Sequence, residues 1–509
     1  MAVEINGDLL SSENETTRLL VENGGETLTD VQNDIKLGFT LRRCMLLPVI
    51  FCYFLGGGMY MFLLPQYTRH IFKEKYTRHD PSSLNTTYNA CANVNHSDPN
   101  YQIYLKIQRA TAKWTIYYAI ALLVPAIVGN IIWVSLSDIL GRKFGFYLTL
   151  FGAIVSNGTF SVVSYFNLSL YFIIIGKALD SLTGSYIAFL AMIYSYTCDI
   201  TAPDKSRTLA IVSMELLVGI TVTSASMITG YFIEAAGFFW PSLTATCLLI
   251  IAILIVLFFV PETNDIQQRR GSQTVHLTAS TRVKRAMLSI LEAFKIYFTN
   301  DSRVKRMKYI LLVLSFLFLT IPYFNRGGME ILYQMGQPFC WSSKKIGWFA
   351  ALKISTASVF GVAGTYLLQK CMTDDIIAML GTIIGIASYV VEGFAKQSII
   401  WLVPVISATS GLPILMIRSL MSSLTPADKQ GALFASIGAL DTVCTLIGIV
   451  SSNDIYSATL TIMNGFVFEI MAAFSLIGVI FLVAYIFVSR LMVDTDSEDD
   501  ITNRVTADE

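Results

Sequence analysis

Long apolar stretches alternate with short polar segments along this chain, a pattern typical of a polytopic membrane protein. A membrane-spanning helix needs about 20 mainly apolar residues. A scan at that width predicts twelve spans, in chain order 44–66, 114–137, 145–164, 168–198, 208–232, 238–260, 309–331, 346–369, 375–395, 399–424, 430–450 and 464–488. They fall into two groups of six, so the pattern predicts an all-α membrane protein built from two six-helix halves.

Polar segments separate and flank these groups. The first apolar stretch follows more than forty polar residues, so it does not have the form of a cleavable signal peptide. We therefore expect a disordered cytosolic tail (1–43), an N-terminal half (44–262), a basic cytosolic linker (263–308), a C-terminal half (309–489) and an acidic cytosolic tail (490–509).

Composition narrows the class further. The chain is 54% hydrophobic and 14% charged, with a mean hydropathy of +0.58, which is too little charge for the surface of a soluble protein of 509 residues. Its 36 basic and 36 acidic residues cancel, so no basic surplus indicates nucleic-acid binding. No phosphate-cradling loop, metal-ligand cluster or catalytic triad is evident. We therefore expect that the protein is not an enzyme, that it binds no cofactor and that it lies in a lipid bilayer.

The positions of the basic residues predict the orientation. With both tails on one side, 22 of the 36 Lys and Arg fall on that side and 10 on the other. Because basic residues are enriched in cytosolic segments, both tails are predicted to be cytosolic. The loop at 67–113 is then luminal, and it carries the glycosylation sequons of Asn85 and Asn95.

Two cysteines, Cys91 and Cys340, fall in predicted luminal loops, where an oxidising environment would allow them to pair. Such a disulfide would join the two halves on that face; two free thiols are the alternative. On the opposite side, Glu15 precedes Leu19 and Leu20 in the form of an endolysosomal sorting signal that an adaptor would bind, although so short a pattern also arises by chance.

A tight motif follows the second span. In Asp138-x-x-Gly141-Arg142-Lys143, Gly141 permits a sharp turn and Asp138 can face the N-terminus of a neighbouring helix. Arg142 can reach a second acid, for which Asp199 at the end of span 4 is the candidate. Ordinary flanking charge is the alternative, but it does not require Asp and Gly at these offsets.

This motif resembles the signature loop of the major facilitator superfamily, except that Val134 stands where a glycine is usual. Within that superfamily the chain resembles solute carrier family 46. The stretches that carry this resemblance are Trp114–Tyr117, Asp199 with Lys205–Thr208, Cys340–Gly347, Gln430–Ala435 and Ile455–Thr459. The resemblance implies a twelve-helix transporter with its substrate site between the halves, lined by spans 1, 4, 5, 7, 8, 10 and 11.

Charged side chains inside apolar spans are costly and indicate function by default. Arg326 and Glu330 form an i, i+4 pair at the luminal end of span 7. The others, candidates for substrate or proton binding, are Lys177 and Asp180 in span 4, Glu215 in span 5, Lys353 in span 8, Arg418 in span 10 and Asp441 in span 11. Lys177 and Asp180 share a helix face and can satisfy each other, whereas Glu215 and Arg418 have no local partner. Ion pairs that only hold the bundle together are the alternative.

The resemblance also suggests roles. Glu215 matches an acid tied to proton coupling in the folate transporter of the family, and Arg418 matches a base tied to substrate and proton binding. Lys177 replaces an arginine, and Tyr323 stands at the place of a histidine. If protons drive transport, Glu215 is the first candidate to carry them and Asp441 the second.

The sequence thus predicts a secondary active transporter, proton-coupled, for small polar or anionic organic solutes such as folate-like compounds, muropeptides or lysosomal catabolites. Transport would proceed by alternating access. A receptor or scaffold that kept the fold and lost transport is the alternative, since the second half lacks a copy of the signature loop. Both the lysosomal or endosomal membrane and the plasma membrane are open as locations.

Overall fold

A computed structural model describes residues 45–78, 99–200, 205–262, 303–426 and 430–505. Twelve helical segments of this part are long and apolar enough to cross a membrane. The helices are span 1 (Leu46–Arg78), span 2 (Pro99–Leu140), span 3 (Arg142–Phe166), span 4 (Tyr171–Leu182 and Ser185–Ile200), span 5 (Lys205–Ala236), span 6 (Phe239–Phe258), span 7 (Arg303–Met335), span 8 (Ser343–Leu368), span 9 (Asp374–Gly393), span 11 (Gln430–Thr459) and span 12 (Phe466–Val505). The predicted fold class, all-α with twelve spans, is confirmed.

Span 10 is the least regular of these segments. It runs from Ile399 to Leu424. Two short 3-10 turns, Ile399–Leu402 and Ser407–Thr409, flank the helical turn Val403–Ile406 before the final helix Leu412–Leu424. Pro404 and Pro413 lie near the starts of the two α-helical pieces, where a residue without an N–H group is tolerated.

Several helices extend beyond the predicted spans. Span 2 begins at Pro99 rather than 114, and its added turns bury Tyr101, Tyr104 and Leu105. Residues 303–308, predicted as the end of the linker, form the first turns of span 7. The hydropathy scan ends where polar residues enter, whereas a helix continues as long as its apolar side has a partner.

Each half is a bundle of its own, and two pairs of spans make the main contacts between the halves. In the first half, spans 1 and 3 both pack on span 6. In the second half, spans 7 and 9 both pack on span 12. Between the halves, span 5 packs on span 8 and span 2 packs on span 11. These two contacts leave spans 1, 4, 7 and 10 around the middle of the molecule.

The halves meet tightly at one face only. The face at which span 1 ends is the one predicted to be luminal, and it is called the luminal face below. A buried cluster there combines Phe62 and Tyr104 of the first half with Tyr333, Phe349 and other residues of the second. The buried clusters towards the cytosolic face each draw on one half among the described residues. The described conformation is therefore closed at the luminal face.

Span 4 is broken at membrane depth, between Leu182 and Ser185. Gly184 adopts a φ of 95°, and a Cβ at this position would lie 2.4 Å from the Cβ of Ala188, so the break requires glycine. Trp133 of span 2 donates a hydrogen bond from Nε1 to the carbonyl of Leu182, 2.8 Å away, which satisfies one backbone group that the break exposes.

Candidate functional site

Lys177 and Asp180 lie directly before the break in span 4. The Lys177 Nζ is 2.6 Å from Asp180 Oδ2, and Ser185 on the far side of the break donates its hydroxyl to the same oxygen at 3.2 Å. Lys177 also lies over the ring of Tyr60, 5.7 Å from its centroid. The pair predicted from the i, i+3 spacing is therefore formed, and it ties the two helices of span 4 together.

Arg418 and Asp441 form a second ion pair, between spans 10 and 11. The Arg418 Nη2 is bonded to Asp441 Oδ2, and the side chains are 29% and 22% exposed. The sequence showed only that Arg418 has no local partner, and the structure supplies Asp441 from another span. An arginine and an aspartate that are both partly exposed can exchange partners with a bound ligand.

Glu215 also has a partner on another helix. Tyr194, on the second helix of span 4, donates its hydroxyl to Glu215 Oε1. The residue is exposed rather than buried. A tyrosine and an aspartate from neighbouring helices therefore complete the two groups that have no partner on their own span.

Tyr186 connects the two ion pairs. It lies one residue after the break in span 4, and both Lys177 of its own half and Asp441 of the other half act on it electrostatically. The side chain is 46% exposed. We did not single out Tyr186 from the sequence; the glycine two residues before it, inside a predicted span, was the signal that could have pointed to it.

A largely buried charge network occupies the second half towards the luminal face. The guanidinium of Arg326 bonds to Glu330 Oε1 at 2.9 Å and to Glu392 Oε2 at 2.7 Å, and donates to the Ser388 hydroxyl at 2.7 Å. Lys353 bonds to the same Oε1 of Glu330. Sequence analysis missed Glu392, because an acid in the last turn of a span looks like ordinary flanking charge.

Tyr323 lies apart from the space between the halves. It lines a small cavity inside the second half, formed by spans 7, 9, 10 and 12, together with Tyr389, Thr382 and Pro413. Both Arg326 and Arg418 act on it electrostatically. Tyr323 therefore lies between the buried network and the partly exposed ion pair.

At the cytosolic end of span 3, Gly141 has a φ of 102° and Arg142 donates to the Ser137 hydroxyl at 2.9 Å. Glu262, which sequence analysis missed, accepts the backbone N–H groups of Arg142 at 2.9 Å and Lys143 at 3.1 Å. A carboxylate at a helix N-terminus is favourable because the unpaired N–H groups and the helix dipole meet there. The side chains of Asp138 and Asp199 lie outside the described residues.

Other predicted positions fall largely outside the described part. Cys340 is disulfide-bonded. Its predicted partner Cys91, the sequons at Asn85 and Asn95 and the tail motif with Glu15, Leu19 and Leu20 lie outside the described residues. Within the described ranges, no three His, Cys, Asp or Glu side chains are placed to hold a metal ion.

Comparisons with known proteins agree with this architecture. Residues 46–452 match the family model of the Major Facilitator Superfamily. The chain is 30% identical to the lysosomal proton-coupled steroid conjugate and bile acid symporter SLC46A3 of Gallus gallus, over 86% of this chain and 93% of that protein. It is 26% identical to the proton-coupled folate transporter of Rattus norvegicus, over 71% and 76%.

Solved structures share the fold. The crystal structure of the human organic anion transporter MFSD10 (TETRAN) superimposes with a TM-score of 0.58 at 14% sequence identity. The match covers 87% of this chain and 99% of that one.

Proposed function

This chain belongs to the major facilitator superfamily and, within it, to solute carrier family 46, and from that premise we propose that it is a proton-coupled symporter of anionic organic solutes. The family makes it a multi-pass membrane solute transporter and not an enzyme. The coupling ion, the substrate class and the membrane in which it acts are the parts that we propose.

The observation that carries the proposal is the ion pair of Arg418 and Asp441, partly exposed between the halves. Tyr186 of the other half lies within electrostatic range of both Asp441 and Lys177. An anionic group of the substrate can replace Asp441 as the partner of Arg418. The displaced carboxylate would be an uncompensated charge in a poorly solvated site, and a proton on Asp441 removes that charge.

Coupling follows from this exchange. A proton on Asp441 frees Arg418 for the anion, so proton and anion bind best together. Glu215, which accepts a hydrogen bond from Tyr194, is the alternative proton carrier. If Asp441 carries the proton, Asp441→Asn should lose proton coupling. If Glu215 carries it, Glu215→Gln should lose proton coupling instead.

The substrate class follows from the site and the relatives. Tyr186, which is 46% exposed, lies within electrostatic range of Lys177, and an exposed aromatic ring beside a cation suits an anion with a flat apolar body. We propose steroid conjugates and bile acids, named for SLC46A3, ahead of folates, because Tyr323 replaces the histidine of the folate transporter. We place the protein in the lysosomal or endosomal membrane, with both tails cytosolic.

Purified protein in proteoliposomes tests the proposal. Radiolabelled taurocholate, estrone sulfate and folic acid are offered under an inward proton gradient and again at equal pH on both sides. We expect the first two to accumulate only under the gradient. Asp441→Asn should bind substrate and exchange it without proton-driven accumulation, while Asp454→Asn, an exposed acid of the same span, should behave as wild type.

Two outcomes contradict the proposal. Absence of saturable flux of any of the three solutes in wild type would refute the substrate class. Gradient-driven accumulation by Asp441→Asn together with its loss in Glu215→Gln would move the proton to Glu215. Localisation is tested separately, since Leu19→Ala with Leu20→Ala should move the protein to the plasma membrane if the tail motif is a sorting signal.

A further inference from the structure

The buried network of Arg326, Glu330, Glu392 and Lys353 holds two acids against one guanidinium. Arg326 Nε is 2.9 Å from Glu330 Oε1 and 2.9 Å from Glu392 Oε2. Glu330 belongs to span 7 and Glu392 to span 9, so the two carboxyl groups meet at a single nitrogen.

One oxygen of this pair has no donor. Glu392 Oε1 is buried and no group among the described residues donates a hydrogen bond to it, whereas Oε2 is satisfied by Arg326. Two carboxylates held close together in an apolar interior repel each other, and a proton on one of them removes the repulsion. The pair can therefore take up one proton.

The surroundings of the pair are dry and nearly closed. The side chains of Arg326, Glu330 and Glu392 are 3%, 6% and 0% exposed. The other groups that face the pair are Lys353 on span 8, Tyr389 on span 9, Tyr333 and Tyr323 on span 7, and Glu469 on span 12. The two cations balance the two glutamates of the network when both are ionised.

Lys353 is the member of the network that reaches out of it. Its side chain is 20% exposed, and its ammonium group bonds to Glu330. Trp348, Leu352 and Val359 mark the exposed apolar side of span 8. Lys353 is one residue beyond Leu352, so it points about 100° away from that side.

We propose that Glu330 and Glu392 form a second proton-binding site, and that its proton releases Lys353 from Glu330 to bind an anionic group of the substrate. The inference rests on the proposed proton-coupled transport and adds a site to it. In the unprotonated state Glu330 holds Lys353, and the network is neutral. In the protonated state the network carries one positive charge, which the substrate anion neutralises.

This arrangement keeps the occupied site neutral as well as the empty one. A charge that moves through a low-dielectric interior without a partner is costly, so neutrality in both states lowers the barrier to the conformational change. Because coupling between two ligands is reciprocal, a substrate anion that takes Lys353 must also draw a proton onto the glutamate pair.

Wild-type protein tests this reciprocity directly. Taurocholate binding is measured by isothermal calorimetry at neutral pH in buffers that differ in ionisation enthalpy, which gives the number of protons taken up on binding. We expect net proton uptake in wild type and a smaller uptake in Glu330→Gln and in Glu392→Gln. Asp454→Asn should match wild type.

Uptake assays supply the second measurement. In Glu330→Gln the amide mimics the protonated acid, so the KM for taurocholate at neutral pH should fall to its value at acidic pH. Lys353→Met should raise the KM by about tenfold to a hundredfold, the range expected for a lost charged hydrogen bond. Lys345→Met, at an exposed lysine of the same span, should leave the KM unchanged.

The proposal is overturned if both glutamine variants take up as many protons as wild type, or if wild type binds taurocholate without proton uptake while its flux remains proton-driven. Should one glutamine variant fail to reach the membrane, the other and the Lys353→Met variant decide. Failure of the proposed function looks different, since wild type would then show no proton-driven flux at all.

Discussion

Glu234 joins the two halves at the luminal face in a way that allows a quantitative prediction. Its Oε1 accepts the backbone N–H of Lys344 at 3.0 Å, in the first turn of span 8, and its Oε2 is 3.0 Å from the Lys344 Nζ. Glu234 belongs to span 5 of the first half. Both contacts exist only while the luminal face is closed, so their loss should favour the luminal-open conformation.

The magnitude follows from the two contacts separately. The Lys344 and Glu234 side chains of the ion pair are 44% and 30% exposed, and exposed pairs of this kind contribute about 0.2–1 kcal/mol. A side-chain acceptor at a helix N-terminus contributes about 1 kcal/mol. Glu234→Gln removes only the charge, and Glu234→Ala removes both contacts. With about 1.4 kcal/mol for each factor of ten, the luminal-open fraction should rise roughly threefold in the first variant and roughly tenfold in the second.

Thiol accessibility measures that fraction. Ser226 is fully buried on span 5 and donates to the carbonyl of Gly347 across the halves at 3.3 Å. In a Ser226→Cys background, a membrane-impermeant thiol reagent applied from the luminal side should react faster in Glu234→Ala than in Glu234→Gln. Lys345→Ala, next to the contact, is the matched control. An unchanged rate in Glu234→Ala would refute the assignment of Glu234 to luminal closure.

Three further predictions concern the frame of the site. Glu262→Ala removes the acceptor of two N–H groups at the start of span 3 and should lower thermal stability by about 1 kcal/mol, measured by melting in detergent against wild type. Gly184→Ala should abolish folded protein in size-exclusion chromatography, since φ and space both forbid it, while Gly57→Ala, where a Cβ meets nothing within 4 Å, should be tolerated. Lys177→Met leaves the buried Asp180 without its cation and should destabilise the protein by about 3–5 kcal/mol. A double variant that adds Asp180→Asn should recover most of the melting temperature that Lys177→Met loses, and no recovery would contradict the pairing.

The sequence was sufficient to predict the membrane spans, because membrane insertion depends on hydropathy along about 20 residues. It failed at the ends of the helices, where packing decides. The extension of span 2 over Tyr101 and Tyr104 is held by the luminal cluster of the other half, and nothing in the local hydropathy announces that contact. The sequence likewise predicted the pair of Lys177 and Asp180, because i, i+3 neighbours share a face whatever the tertiary structure.

Pairs between spans could not be predicted in this way. Asp441 is 23 residues from Arg418, and Glu392 is 66 residues from Arg326. Which of many intramembrane charges meet depends on the packing of the helices, and a single sequence does not give that packing. The sequence contained only an indirect indication of these pairs. Because charges in apolar spans need partners, the presence of both acids and bases inside the spans predicted that some of them would pair.

The pairing itself constrains how such a site works. When Lys177 with Asp180, Arg418 with Asp441, and the Arg326 network are all formed, the empty site carries no isolated charge through the membrane. An anion alone would then find each cation occupied and would leave a carboxylate behind. A proton on that carboxylate removes the penalty, so an anionic substrate needs a proton for each cation that it takes from an acid. The pairing of the empty site therefore supports the proton coupling that we propose. A substrate that contacts both Arg418 and Lys353 should carry two protons per anion, which the ratio of proton to substrate flux measures directly; a ratio of one would restrict the exchange to a single pair.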